Sequence, residues 1–95
     1  MHGNTLGGYQ GPVAVLTPEG IEVARAACRY RADGDRDGQD HWAGRLHRID
    51  PPGAVIEGTY RLRLPGGGEG EVAVRVIAPI RDILYFEGIG PRPAI

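Results

Sequence analysis

The 95-residue chain contains no lysine and no serine, and it has one cysteine, one tryptophan, one phenylalanine and one methionine. Without serine there is no Ser-dependent hydrolysis, and Thr5, Thr17 and Thr59 fall in a tail, a turn and a strand with no motif around them. A lone Cys28 cannot close an intramolecular disulfide, and its setting between Ala26 and Tyr30 reads as a small buried hydrophobe, so a reducing cytoplasm is the expected location. No apolar run approaches the ~18 residues of a membrane span, and no basic start followed by an apolar segment suggests a signal peptide. Charge of one sign is missing as well. Eleven arginines against 12 acids leave a net charge of −1, with no broad electrostatic footprint for nucleic acid or an anionic membrane. The arginines read first as solvated strand faces, and the Arg, Ala, Gly, Val and Pro bias fits a GC-rich genome.

What the chain does have is 16 glycines and eight prolines punctuating short alternating runs. That spacing predicts an all-β chain, a small six-stranded antiparallel barrel or strongly bent sheet. Residues 1–8 read as a flexible tail and residues 9–93 as one barrel-like domain, whose core is thin at this length. The runs are 9–17, 21–32, 41–49, 54–64, 71–78 and 83–90. Thr17-Pro18-Glu19-Gly20 places Pro and Gly where a type I turn wants them. Residues 18–32 are open between two states: Thr17 and Pro18 could start a helix, whereas alternation separates Arg25, Arg29 and Arg31 from Ala24, Ala26, Cys28 and Tyr30, which favours a strand. Along the third run Trp42, Gly44 and Leu46 share one face, and His41, Arg45 and His47 the other. In the fourth, Ile56, Gly58, Tyr60, Leu62 and Leu64 are expected inward. Glycines inside strands, such as Gly44 and Gly88, suggest bends or close approach. The expected centre is Trp42, Tyr60, Leu62, Val72, Val74, Val76, Leu84 and Phe86.

Chemistry is hinted at in one place, Asp33-Gly34-Asp35-Arg36-Asp37-Gly38-Gln39-Asp40-His41-Trp42. Asp33-x-Asp35-x-Asp37-Gly38 opens like a calcium loop, but Gly44 stands where the closing bidentate carboxylate belongs, so a solvated acidic hairpin is expected and no metal site is assigned. His41 and His47 lie ~20 Å apart along an extended strand, too far to chelate one ion. Gly66-Gly67-Gly68 lacks the helix N-terminus and the lysine of a phosphate cradle. No cofactor is implied and no catalytic residue can be named. Tyr30, Trp42, Tyr60 and Phe86 fall on the faces expected inward. They serve either as plain core or, if small inward residues leave room between the rings, as the ligand-binding walls of a cavity with Glu57, Glu87 and His41 near its mouth.

The order Tyr9-x-Gly11-Pro12, an acidic Asp-Gly loop, His41-Trp42-x-Gly44-Arg45 and a closing Gly88-x-Gly90-x-x-Pro93 resembles an actinobacterial family of small domains of unknown function. Members occur alone or attached to the C-terminus of flavin-dependent monooxygenases. The resemblance implies an all-β accessory module of secondary metabolism and supplies no active site to transfer. Two functions are therefore expected. One is a module that binds an apolar small molecule or docks, through an exposed strand edge, onto an oxygenase or a second copy of itself. The other is a cofactor-free cyclase or isomerase that shapes a polyketide-like substrate in an aromatic-lined barrel cavity.

Overall fold

The computed structural model describes residues 7–34, 40–75 and 83–94. Asp35 and Asp37 of the acidic loop, and Val76 of the expected core, lie outside the described residues. Six strands are present, β1 (Gly8–Leu16), β2 (Glu22–Gly34), β3 (Asp40–Asp50), β4 (Gly58–Arg63), β5 (Glu69–Arg75) and β6 (Ile83–Ile89), and no helix occurs among the described residues. They close into a barrel in the order β1-β2-β3-β6-β5-β4, every pairing antiparallel. The all-β six-stranded expectation holds, and residues 22–34 are strand.

Two hairpin loops use one device. The Gly20 N–H donates to the Thr17 carbonyl at 2.8 Å and the Gly67 N–H to the Leu64 carbonyl at 2.8 Å, with proline second and glycine fourth in each turn. Gly20 at φ +95° and Gly67 at φ +98° occupy the left-handed region, where a side chain would be strained, and this bulged turn matches the twist of the strands it joins.

Alternation then sorts the residues as the strands dictate. On β2, Ala24, Ala26, Cys28, Tyr30 and Ala32 are buried while Arg25, Arg29 and Arg31 are exposed; on β3, Trp42 and Leu46 are buried. The barrel is filled by these with Val13, Val15, Leu62, Val72, Val74 and Phe86. Tyr60 and Leu84, expected at the centre, are partly buried and pack against it.

Two expectations need correction. Ile56 does not point inward: it is 66% exposed, and Val55 is the buried residue of that segment. The cause is that β4 begins only at Gly58; the Ile56 N–H leaves the ladder and donates to the Tyr60 hydroxyl at 3.1 Å. Alternation along β3 also breaks near its end. Between the pairs Arg25↔Asp50 and Ala27↔His47 one β2 residue faces two of β3, a bulge in which Arg48 takes φ 53°. That extra residue throws Arg48 outward and turns Ile49 toward the core. Closure is partial between β1 and β4, which pair only over residues 14–16 and 61–63.

Candidate functional site

Register explains how the aromatic side chains meet. Tyr9 pairs with Tyr30, Tyr30 with Gly44, and Gly44 with Phe86, so one inward row reads large, large, empty, large across four strands. The space over Gly44 is used by its neighbours, since a Cβ there would strike the Arg29 carbonyl and the Tyr30 side chain. One turn of alternation along, the Trp42 indole lies over Gly88, where a Cβ would collide with Nε1, Cε2 and Cδ1 of the ring. The result is a continuous run of rings, Tyr9–Tyr30 at 6.0 Å, Tyr30–Trp42 at 5.2 Å and Trp42–Phe86 at 5.9 Å between centroids, the last two edge-to-face. Such geometry favours contact between ring edge and ring face. The Trp42 Nε1–H donates to the Gly90 carbonyl at 3.0 Å, and Pro93, fully buried, closes over the same end beside Gly70.

Three of the four aromatic residues singled out from the sequence, Tyr30, Trp42 and Phe86, therefore come together, joined by Tyr9. Tyr60 stands apart on β4, its hydroxyl engaged by Ile56. No polar or charged residue is buried among the described residues. The Cys28 thiol, enclosed between β1 and β3, is pushed up to about 12 by burial and is held as a neutral thiol at ordinary pH. Burial also raises the Tyr30 phenol, with Cys28 adding to the rise and Arg92 opposing it; its hydroxyl is buried with no hydrogen-bond partner among the described residues.

A concavity lies on the outer wall. Facing away from the core, Arg29 pairs with Arg45, Arg45 with Tyr85 and Tyr85 with Arg75, one row across β2, β3, β6 and β5. The neighbouring row runs Arg31, Ala43, Glu87, Ala73. Long side chains standing around Ala43 and Gly44 enclose a groove of about 500 Å³, with Tyr30 and Phe86 contributing to its lining. The arginines at this groove have no ion-pair partner among the described residues, whereas Arg25 is held by Glu22 at 3.2 Å and Arg63 by Glu69 at 2.9 Å. Of the acids expected near a cavity mouth, Glu87 lines this groove and Glu57 does not; His41 is not among its lining residues and lies two residues before Ala43 on β3, paired in register with Asp33.

Sequence reasoning placed Arg29, Arg31, Arg45 and Arg75 on outer faces correctly but read them as independent solvated charges. Their signal was there, arginines on both sides of Tyr30 and on one side of Gly44. What turns it into a site is the cross-strand register, which aligns them.

Among the described residues no group of three or more His, Cys, Asp or Glu is placed to hold a metal ion, and no helix is long and apolar enough to cross a membrane. Comparison of the chain with family models, with curated proteins and with solved structures finds no match.

Proposed function

We propose that this protein is a small-molecule-binding β-barrel module that takes the apolar body of its ligand into the outer groove between β2, β3, β6 and β5. The observation that carries the reading is the groove itself: about 500 Å³ floored by Ala43 and Gly44 and walled by Tyr85 and arginine stems. That volume lies within the range of small-molecule sites, which are mostly apolar with a few placed polar groups. Of the four aromatic residues expected to bind ligand, Tyr30 and Phe86 border the groove but are 2% exposed, their rings turned inward against Trp42, and Tyr60 stands apart on β4. The accessory role in actinobacterial secondary metabolism, beside a flavin-dependent oxygenase, follows from the sequence resemblance. A cofactor-free cyclase or isomerase calls for an aromatic-walled cavity inside the barrel; here the inner rings are packed on one another, which weighs for binding over catalysis.

The test is titration of the protein with the neutral fluorophore N-phenyl-1-naphthylamine, followed by its emission and by amide chemical shifts. Shifts clustered at Ala43, Gly44, Tyr85 and Phe86, and loss of binding in Ala43→Trp, are expected. Absence of binding, or binding unchanged by Ala43→Trp, would overturn the proposal.

A further inference from the structure

Building on that reading of the groove, we infer that its ligand is an organic anion with a flat apolar body, a carboxylate, sulfonate or phosphate on a conjugated ring system. A chain of net charge −1 gathers Arg29, Arg31, Arg45 and Arg75 around one groove whose described lining holds a single carboxylate, Glu87. Arg29 and Arg45 are directly opposite one another on adjacent strands. Like charges so placed destabilise a sheet, and neutral residues there would relieve the repulsion. Three arginines elsewhere on the barrel show that the fold can neutralise such charges: Arg25 has Glu22, and Arg61 and Arg63 share Glu69. At the groove no such carboxylate pairs with the arginines among the described residues, and an oxyanion supplied from solution fills that role. Guanidinium forks bind carboxylates, sulfonates and phosphates through paired hydrogen bonds, and neighbouring strands ~5 Å apart bring two forks within reach of one such group.

The flat body follows from the rest of the lining. Tyr85 lies in the arginine row between Arg45 and Arg75, and Ala43 and Gly44 leave a low floor beside it. A planar ring laid on that floor contacts the Tyr85 ring and the guanidinium planes, which stack on aromatic faces. Glu87 sets direction: in the row of Arg31 and Ala43, it repels the anionic end toward Arg29 and Arg45 and accepts from a hydroxyl or amine at the other end.

The experiment compares 8-anilinonaphthalene-1-sulfonate with N-phenyl-1-naphthylamine, which differs only in lacking the sulfonate, on the full chain and on Arg29→Gln, Arg45→Gln and Ala43→Trp. The sulfonate is expected to bind about tenfold more tightly than the neutral compound, as a charge-assisted pair requires. Either arginine substitution should remove most of that preference, lowering the sulfonate's affinity far more than the neutral compound's, and raising salt from tens to hundreds of millimolar should weaken only the sulfonate. Both arginines are exposed, so thermal melts of the variants should match the parent or exceed it. Equal binding of the two compounds, both blocked by Ala43→Trp, would overturn the anion inference and leave the groove reading standing. Binding of neither would overturn both. Salt-sensitive binding of a single-stranded oligonucleotide without binding of the sulfonate would also overturn it, in favour of a nucleic-acid surface.

Discussion

Replacing Gly88 by alanine should be among the most damaging single-methyl additions in this chain. The new Cβ would fall on Nε1 and Cε2 of Trp42, well inside van der Waals contact. The indole has nowhere to go. Its N–H is tied to the Gly90 carbonyl at 3.0 Å, its far edge rests where a Cβ on Gly70 would be 2.8 Å from Cη2, and Tyr30 and Phe86 stand at 5.2 and 5.9 Å. Relief requires either β6 to move away from the core or the ring to turn out. Turning out forfeits a hydrogen bond of about 1 kcal/mol and two edge-to-face contacts of about 0.5–1.5 kcal/mol each. Overpacking a filled core costs about 1–3 kcal/mol by the other route. We therefore expect Gly88→Ala to lose about 3 kcal/mol, which lowers the melting temperature by roughly 12–24 °C for a domain of this size. Urea unfolding followed by far-ultraviolet circular dichroism measures the loss, and emission of the sole tryptophan reports whether the ring has left its slot. The decisive variant is the double mutant with Trp42→Leu. With the indole gone, Gly88→Ala should cost nothing further, because alanine suits a strand better than glycine. A single mutant within about 0.5 kcal/mol of the parent, or strictly additive costs in the double mutant, would refute the contact.

Arg48→Gly should stabilise the protein: a non-glycine residue at φ 53° carries about 1–2 kcal/mol of backbone cost, glycine's extra entropy returns about 0.5–1, and an exposed arginine takes no packing with it. A melting temperature lower than the parent's would contradict that account. Cys28 predicts an alkaline loss of stability. The thiol titrates near 9.0 in the unfolded chain and at about 12 in the fold, so the unfolded state sheds its proton first and stability falls as pH rises from about 9 to about 12. Urea midpoints should show about 2 kcal/mol less stability at about pH 10.5 than at about pH 8, beyond the contribution of Tyr9 and Tyr30, and Cys28→Ala should remove that part; an unchanged pH slope in the variant would refute it.

Much of the barrel was legible before any coordinate. Proline and glycine at fixed turn positions marked the tight hairpin at residues 17–20, and period-two alternation assigned nearly every inward and outward residue of β2, β3 and β5. Where the sequence misled, a local departure from period two was responsible. Nothing in Ala54-Val55-Ile56-Glu57 reveals that the ladder starts later, because the Ile56 N–H finds its partner in a side chain, the Tyr60 hydroxyl. Nothing in His47-Arg48-Ile49 reveals a bulge, since a single arginine in the left-handed region leaves no mark on composition.

The amino-acid sequence by itself determined that the chain would be β, where it would turn, and that Trp42 would point inward, because these follow from backbone sterics and side-chain alternation within one strand. Only the tertiary structure decided which residues stand side by side. Register between strands far apart in the chain laid Trp42 over Gly88 and lined up Arg29, Arg45, Tyr85 and Arg75 around a groove. Register is a property of pairs of strands, set by closure of the whole barrel, and no single strand encodes it.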